Sequence, residues 1–289
     1  MPNIYDLHSH STASDGTLPP RDLILRAAQA GVEVLALTDH DTLAGIEEAR
    51  QTAQALGMIL IPGVELSVTW NRQTVHIVGL NVDPNNTMLQ EGLSRLQVFR
   101  EWRAKEMARR LDKAGIPGAY EGALAFAEGR LVSRTHFARF LVQKRVLADE
   151  RKVFKHYLVS GKPGYVPGDW ATLEEALNWI HEAGGEAVIA HPARYKLSRS
   201  KLRRLFKDFV GFGGEAIEVV SGSHSRDDSF VMAKHAREFG LMASAGSDFH
   251  SPDNPWIELG CLPAFPDGCR PIWANWNLPC TTNTCRELS

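Results

Sequence analysis

Apolar and polar positions along the chain fall into two alternating patterns. Short runs rich in Val, Ile, Leu and Ala read as strands: "IYDL" (4–7), "VEVLALT" (32–38), "MILIPGVEL" (58–66), "TVHIVGL" (74–80), "EAVIA" (186–190), "EAIEVV" (215–220) and "LMASAG" (241–246). Amphipathic segments lie between them at 19–31, 43–57, 172–185, 199–214 and 227–240. Most of these end in Gly, the usual left-handed stop of a helix. Pro19 and Pro20 suit a first helical turn, and Thr172 suits the cap of the helix carrying Glu174 and Glu175. Seven strand candidates alternating with helices predict an α/β fold built from parallel βα units.

The middle of the chain breaks this rhythm. From about 87 to 165 the pattern is helical, including "MLQEGLSRLQVFREWRAKEMARRLDKAG" (88–115). "SGKPGYVPGDW" (160–170), rich in Gly and Pro, reads as the linker back to the strand–helix pattern. The expected organisation is α/β in 1–86 and 169–262, a helical insertion over 87–168, and an irregular tail over 263–289. Repeats and low-complexity tracts are absent from the sequence.

The 289 residues are 44% hydrophobic and 23% charged, enough to bury a core without staples. A net charge of −2 gives no global basic field for nucleic acid. The run "RYKLSRSKLRRLFK" (194–207), with seven basic residues and no acidic one, is a local candidate for an RNA track or a solvated helix face. Cys261, Cys269, Cys280 and Cys285 show no Cys-x-x-Cys spacing and read as reduced thiols of a cytoplasmic protein. A secretory leader and an apolar run near the roughly 18 residues of a membrane helix are both missing from the pattern.

The histidines and carboxylates fall at strand ends. His8, His10 and Asp15 follow the first strand, and "TDHD" puts Asp39, His40 and Asp41 after the second. Glu65 ends the third strand and His76 lies within the fourth. His191, His224, Asp248 and His250 follow the fifth, sixth and seventh. In parallel α/β folds these ends share one face, where catalysis sits. Taken singly, each of these signals is weak: "TDHD" could be a polar turn and "AHP" a satisfied core histidine. Jointly they point to a metal cluster, because packed carboxylates and imidazoles without metal are costly to bury. Nine of these twelve donors would already be too many for one ion and natural for two or three. Mixed His and carboxylate ligation without thiolate suits manganese, iron or zinc better than magnesium.

The motifs "DLHSHSTASDG", "LTDHD", "PGVE", "VHIVG", "AHP" and "GSDFH", in this order from 6 to 250, resemble those of the PHP (polymerase and histidinol phosphatase) family. The resemblance implies a distorted (β/α)7 barrel with two or three divalent ions, manganese before iron or zinc, at the strand ends. By motif position His8, His10, Glu65 and Asp248 would hold one ion. Asp15, His40 and His250 would hold a second. His76 and His191 would hold a third, with Glu65 bridging. Stand-alone length, "SRTHFAR" (133–139), "GKPGYV", "AHPARY" and "SGSHS" are similar to the bacterial group of 3′,5′-nucleoside bisphosphate phosphatases, also described as ribonuclease AM. That group removes the 3′-phosphate of nucleoside 3′,5′-bisphosphates and degrades short RNA from its 5′ end. His224 is then expected to bind phosphate or protonate the leaving group, and Asp39 to orient a neighbour. Arg134, His136, Arg194 and Lys162 are the candidates for holding substrate, with Ser133 as a helix cap. No obligate protein partner or membrane is implied. The competing readings are a histidinol-phosphate-type phosphatase, a proofreading-type 3′→5′ DNA exonuclease without its polymerase, and a metal-bound scaffold without activity.

Overall fold

The structure, a computed structural model, describes residues 4–127 and 131–278. The strands are β1 (Tyr5–Asp6), β2 (Val34–Leu37), β3 (Ile59–Trp70), β4 (Gln73–Leu80), β5 (Glu186–Ile189), β6 (Ala216–Ser221) and β7 (Met242–Gly246). They pair in sequence order. The ring nearly closes where the Leu7 N–H donates to the Ala245 carbonyl at 2.9 Å and Ser9 bridges Phe249. Helices α1 (Pro20–Gln29), α2 (Ile46–Leu56), α7 (Leu173–Glu182), α8 (Arg199–Gly211) and α9 (Arg226–Phe239) wrap this mixed barrel. Between β4 and α7 come α3 (Thr87–Lys113), α4 (Ala119–Phe126), α5 (Arg134–Gln143) and α6 (Glu150–Val153), with a π-helical turn over Phe154–Leu158.

One expectation is corrected. The strands are not all parallel: β4 runs antiparallel to both β3 and β5. β3 continues to Trp70, and Asn71 (φ 47°) and Arg72 (φ 62°) form a two-residue turn that returns the chain at once. Positive φ at both central residues is the turn whose twist matches a hairpin. A parallel crossover needs a dozen or more residues, which the stretch between Leu66 and Thr74 cannot supply. The reversal has a functional consequence. His76, paired with Ser67, lies at the end of the barrel where β2 and β7 finish.

The barrel interior is apolar toward the opposite end. Leu7, Val34, Ala36, Ile61, Val188 and Ala216 pack there, and Ile272 closes the bottom. Trp273 stacks on Tyr5 with ring centroids 4.4 Å apart, and the Trp276 indole donates to Glu186. The start of the C-terminal segment is therefore a plug; Cys280 and Cys285 lie outside the described residues. The N-terminal half of α3 packs into the barrel's outer core through Leu89, Leu93 and Leu96. Its second half shares a separate core with α4 and α5, centred on Leu111, Phe137 and Leu141. Among the described residues, no helix is long and apolar enough to cross a membrane.

β1 and β7 approach too closely for a side chain at Gly246, where a Cβ would sit 2.3 Å from the His8 Cβ and 2.7 Å from its amide nitrogen. Gly246→Ala is expected to destabilise the fold by about 1–3 kcal/mol through forced separation of these strands. Thermal unfolding measures this, and an unchanged melting temperature would contradict the close packing of the seam.

Candidate metal centre and phosphate pocket

The strand ends bend sharply as they deliver their side chains. Asp41 (φ 51°), His191 (φ 31°) and Asp248 (φ 56°) all adopt left-handed backbone within four residues of the ends of β2, β5 and β7. Such conformations cost of order 1–3 kcal/mol each for non-glycine residues and cluster at functional sites.

Glu65 is the centre of what they deliver. It is fully buried. Its Oε1 lies 2.9 Å from His76 Nδ1 and 3.0 Å from His191 Nε2. Its Oε2 lies 2.9 Å from His40 Nδ1 and 3.4 Å from the Nε2 atoms of both His8 and His10. Asp248 Oδ1 approaches the same two Nε2 atoms at 3.5 and 3.3 Å. Asp15 Oδ1 faces His250 Nε2 at 3.3 Å and His40 Nε2 at 3.9 Å. All nine strand-end ligand candidates thus meet in one cluster.

The donor atoms fit divalent ions. Three groups bring their ligand atoms within 4.8 Å of one another: His10, Asp15, His40 and His250; His8, His10 and Glu65; and His40, Glu65 and His76. Asp15 Oδ1, His40 Nδ1 and Glu65 Oε2 are buried, and despite these close approaches none meets a partner in hydrogen-bond geometry. Converging, unsatisfied nitrogen and carboxylate donors are the expected state of ligands whose missing partner is a cation. The groupings overlap more than the sets implied by the resemblance, in which only Glu65 is shared, since His10 and His40 also serve two each.

The charge balance is tight. Burial works against ionisation of Glu65, yet His40, His76 and His8 hold its carboxyl well below the usual range. Burial opposes charge on His250 as well, but Asp15 and Asp248 push its pKa up to about 9. His10, buried and beside His250, is pushed down to about 3.

A surrounding layer orients the donors. Asp39 accepts from the Ser11 amide (2.8 Å), the Ser11 hydroxyl (2.6 Å) and the Ser14 hydroxyl (2.6 Å), so it shapes the loop that carries Asp15 and does not face the cleft. Glu218, which the strand pattern concealed within "EAIEVV", takes the His8 Nδ1–H at 2.5 Å and the His191 amide at 2.6 Å. Ser133 and Thr135 each donate to Asp15 Oδ2 at 3.1 Å, and Arg139 donates to the Asp15 carbonyl. The insertion therefore aims Asp15 Oδ1 into the cluster.

The same cleft continues under the insertion. Its lining includes Arg100, Arg103, Arg134, Phe154 and Trp170 beside His40, His76 and His191. Arg100 pairs with Asp41, and Arg103 donates twice to the Val166 carbonyl. Arg134 makes no hydrogen bond or ion pair to a described residue; its guanidinium lies 5.7 Å over the Phe154 ring. Burial, then the neighbouring Arg134 and Arg100, act against the charge of Arg103. An anion would relieve that crowding. Arg100 and Arg103 were not singled out in the sequence because they sit among many charges in a long helix; their spacing of three residues on one face was the available signal.

Not every candidate reaches this cleft. Arg194 does, with an ion pair to Asp248 at 2.5 Å. His136 is turned inward, where its Nδ1 accepts from the Ser133 amide in a capping box. Lys162 lies in an exposed turn away from the lining residues. His224 sits behind the wall: its Nδ1–H donates to the Val219 carbonyl at 3.2 Å and its Nε2 is unpartnered. Burial pushes its pKa down, leaving it neutral and ill-suited to protonate a leaving group.

A family model described as PHP domain matches residues 6–187. The chain belongs to the PHP domain family. Among curated PHP relatives, the 3′,5′-nucleoside bisphosphate phosphatase of Chromobacterium violaceum is 49% identical over 94% of this chain and 96% of its own. The 5′-3′ exoribonuclease Rnm of Escherichia coli (strain K12) is 48% identical over 99% and 97%. A solved structure described as an amidohydrolase from Chromobacterium violaceum with bound sulfate and no metal superposes with a TM-score of 0.90. It is 49% identical and covers 93% of this chain and 94% of that one.

Two outcomes follow for the PHP centre. Because His250 keeps its proton until the pH rises through about 9, metal uptake at neutral pH should release protons, and apparent affinity should strengthen as pH rises toward that value. Potentiometric titration of metal-free protein checks this; pH-independent uptake would refute it. Glu218→Gln should weaken metal retention roughly 10- to 100-fold by loosening His8 and His191, measured by competition with a chelator.

Proposed function

We propose that the protein is a metal-dependent phosphoesterase that removes the 3′-phosphate of nucleoside 3′,5′-bisphosphates and releases nucleotides from the 5′ end of short 5′-phosphorylated RNA. The observation that carries this reading is one cleft holding both a nine-donor ligand cluster and two guanidiniums, Arg103 and Arg134, without a carboxylate partner among the described residues. A phosphatase for a single small phosphate ester, such as a histidinol-phosphate-type enzyme, needs only the first.

His8, His10, Glu65 and Asp248 would hold one ion, Asp15, His40 and His250 a second, and His76 and His191 with Glu65 a third. Manganese is the metal of this reading and the cytoplasm its compartment. Bound divalent ions supply Lewis acidity, neutralising phosphate oxygens and acidifying water at neutral pH. The residues of the chain do the positioning. Arg134, with its donors free, and Arg103 clamp the 5′-phosphate in the inner pocket. Arg194 holds Asp248 with one nitrogen and keeps further donors for the phosphate that reacts. Ser133, Thr135 and Glu218 keep Asp15, His8 and His191 in place.

One bond then explains two substrates. In hydrolysis the oxygen of a water molecule bonds to phosphorus as the bond from phosphorus to the 3′ oxygen breaks, and a proton of that water ends on the 3′ oxygen, which leaves as an alcohol. With a terminal 3′-phosphate the products are a 5′-nucleotide and inorganic phosphate. With RNA they are a 5′-nucleotide and a shortened chain that again carries a 5′-phosphate, ready for the next round.

Arg134→Ala tests the pocket. Removing a charge-assisted hydrogen bond worth about 1.5–3 kcal/mol should raise KM for a nucleoside 3′,5′-bisphosphate roughly 10- to 100-fold while nearly sparing a nucleoside 3′-monophosphate. Equal losses on both, read from phosphate release by the manganese-loaded protein, would remove the pocket from the mechanism.

A further inference from the structure

We propose that a second, open cleft beside the metal centre carries the 3′ continuation of single-stranded RNA, with the Trp256 indole as a base-stacking platform and Arg151, Lys155 and Lys196 as phosphate-binding cations. This rests on the RNA-cleaving part of the function proposed above and assigns it a path.

The cleft is continuous with the site. Thr135, Phe154, Arg194, Asp248 and His250 line both the inner pocket and this outer one. A substrate whose 5′-phosphate lies against Arg134 and whose first 3′-phosphorus lies at the ligand cluster has its remaining chain at this outer wall. The inner pocket cannot take that chain, because Trp170, Arg100 and Arg103 form its far side.

Trp256 is 89% exposed, an unusual placement for a large indole. It lies six residues after His250, hence within about 20 Å of it by chain reach. Its loop is held: the Trp256 amide donates to Asn254 Oδ1 at 3.2 Å, the Ser251 hydroxyl donates to Asp253, and Pro252 and Pro255 stiffen the backbone. An aromatic face presented by a braced loop suits bases of any sequence, since each has a π-face.

Of the six lysines and arginines that line this cleft, three are in ion pairs and three are not. Lys152 pairs with Asp149 at 3.1 Å and Arg139 with Glu150 at 3.7 Å. Arg151, Lys155 and Lys196 line the cleft, and none forms a contact ion pair among the described residues, although Arg151 lies within electrostatic reach of Asp149. The basic run 194–207 contributes only its start. Arg194 and Lys196 reach the cleft, whereas Arg203 pairs with Glu238 and Arg204 with Asp208 on α8. The path therefore leaves α8 aside and crosses from the loop after β7 toward the π-helical turn of the insertion. That pairing of aromatic surface with uncompensated positive charge is the chemistry of single-strand binding.

The test compares two substrates on manganese-loaded protein: a nucleoside 3′,5′-bisphosphate and a 5′-phosphorylated RNA pentamer. Trp256→Ala should lower kcat/KM on the pentamer by about 5- to 100-fold, the effect of removing one base stack, and leave the bisphosphate within about twofold. Replacing Arg151, Lys155 and Lys196 together by Ala should flatten the salt dependence of pentamer cleavage by a log–log slope of roughly 0.7 for each phosphate no longer neutralised. Equal losses on both substrates, or an unchanged pentamer, would overturn the path while leaving the phosphoesterase reading intact. Wild-type protein that hydrolyses the bisphosphate but leaves the pentamer whole would overturn the RNA reading and the path with it. Inactivity of the wild type on both would overturn the phosphoesterase reading itself.

Discussion

A carboxylate with no solvent exposure, Glu65, is surrounded by His8, His10, His40, His76 and His191. Burying one ionised carboxylate is expensive, and burying it among imidazoles with further carboxylates nearby is stable only when the charges are matched by position. Much of the upper barrel is explained by that requirement. The left-handed residues Asp41, His191 and Asp248 turn the chain at the rim, and Gly246 lets β7 press against His8. Asp39 and Glu218, themselves buried, spend their hydrogen bonds on the loops and rings that must not drift.

The insertion is part of the same arrangement. Arg100 on α3 neutralises Asp41, and Gln97 on the same helix donates to the Asp41 carbonyl. Ser133 and Thr135 at the start of α5 orient Asp15, while Arg134 between them faces the cleft. One short segment thus finishes a candidate metal ligand and builds the anion pocket. A barrel without this insertion would keep the other donors but would lose the partners of Asp15 Oδ2 and the guanidiniums that crowd around the inner pocket. The coupling gives a physical reason for substrate choice and metal binding to respond together to changes in this helix.

Much of the site was legible because strand ends are fixed by local pattern. The apolar runs ending in "DLHSH", "LTDHD", "PGVE", "AHP" and "GSDFH" place their polar residues at one rim once the strands are known. The family resemblance rested on those same residues. His76 was legible as a ligand only conditionally, because its place on the rim depends on the hairpin at Asn71 and Arg72; Asn71 suits left-handed backbone, but Arg72 gives no such signal. Arg100, Arg103 and Glu218 were hidden for a different reason. A charged residue in an amphipathic helix or an apolar strand looks the same in sequence whether it faces water or a buried cleft.

The sequence by itself determined the seven strands, most of the helices, the order of the donor motifs and the kind of chemistry those donors serve, since all of these follow from short-range periodicity and residue type. Only the tertiary structure decided that β4 runs backwards, that His136 is a helix cap and Lys162 a surface residue, and that His224 stands behind the wall. It also decided which arginines converge and which cations stay unpaired. These depend on distances between residues far apart in the chain, and such distances are set by how the barrel closes and how the insertion docks, which no local pattern encodes.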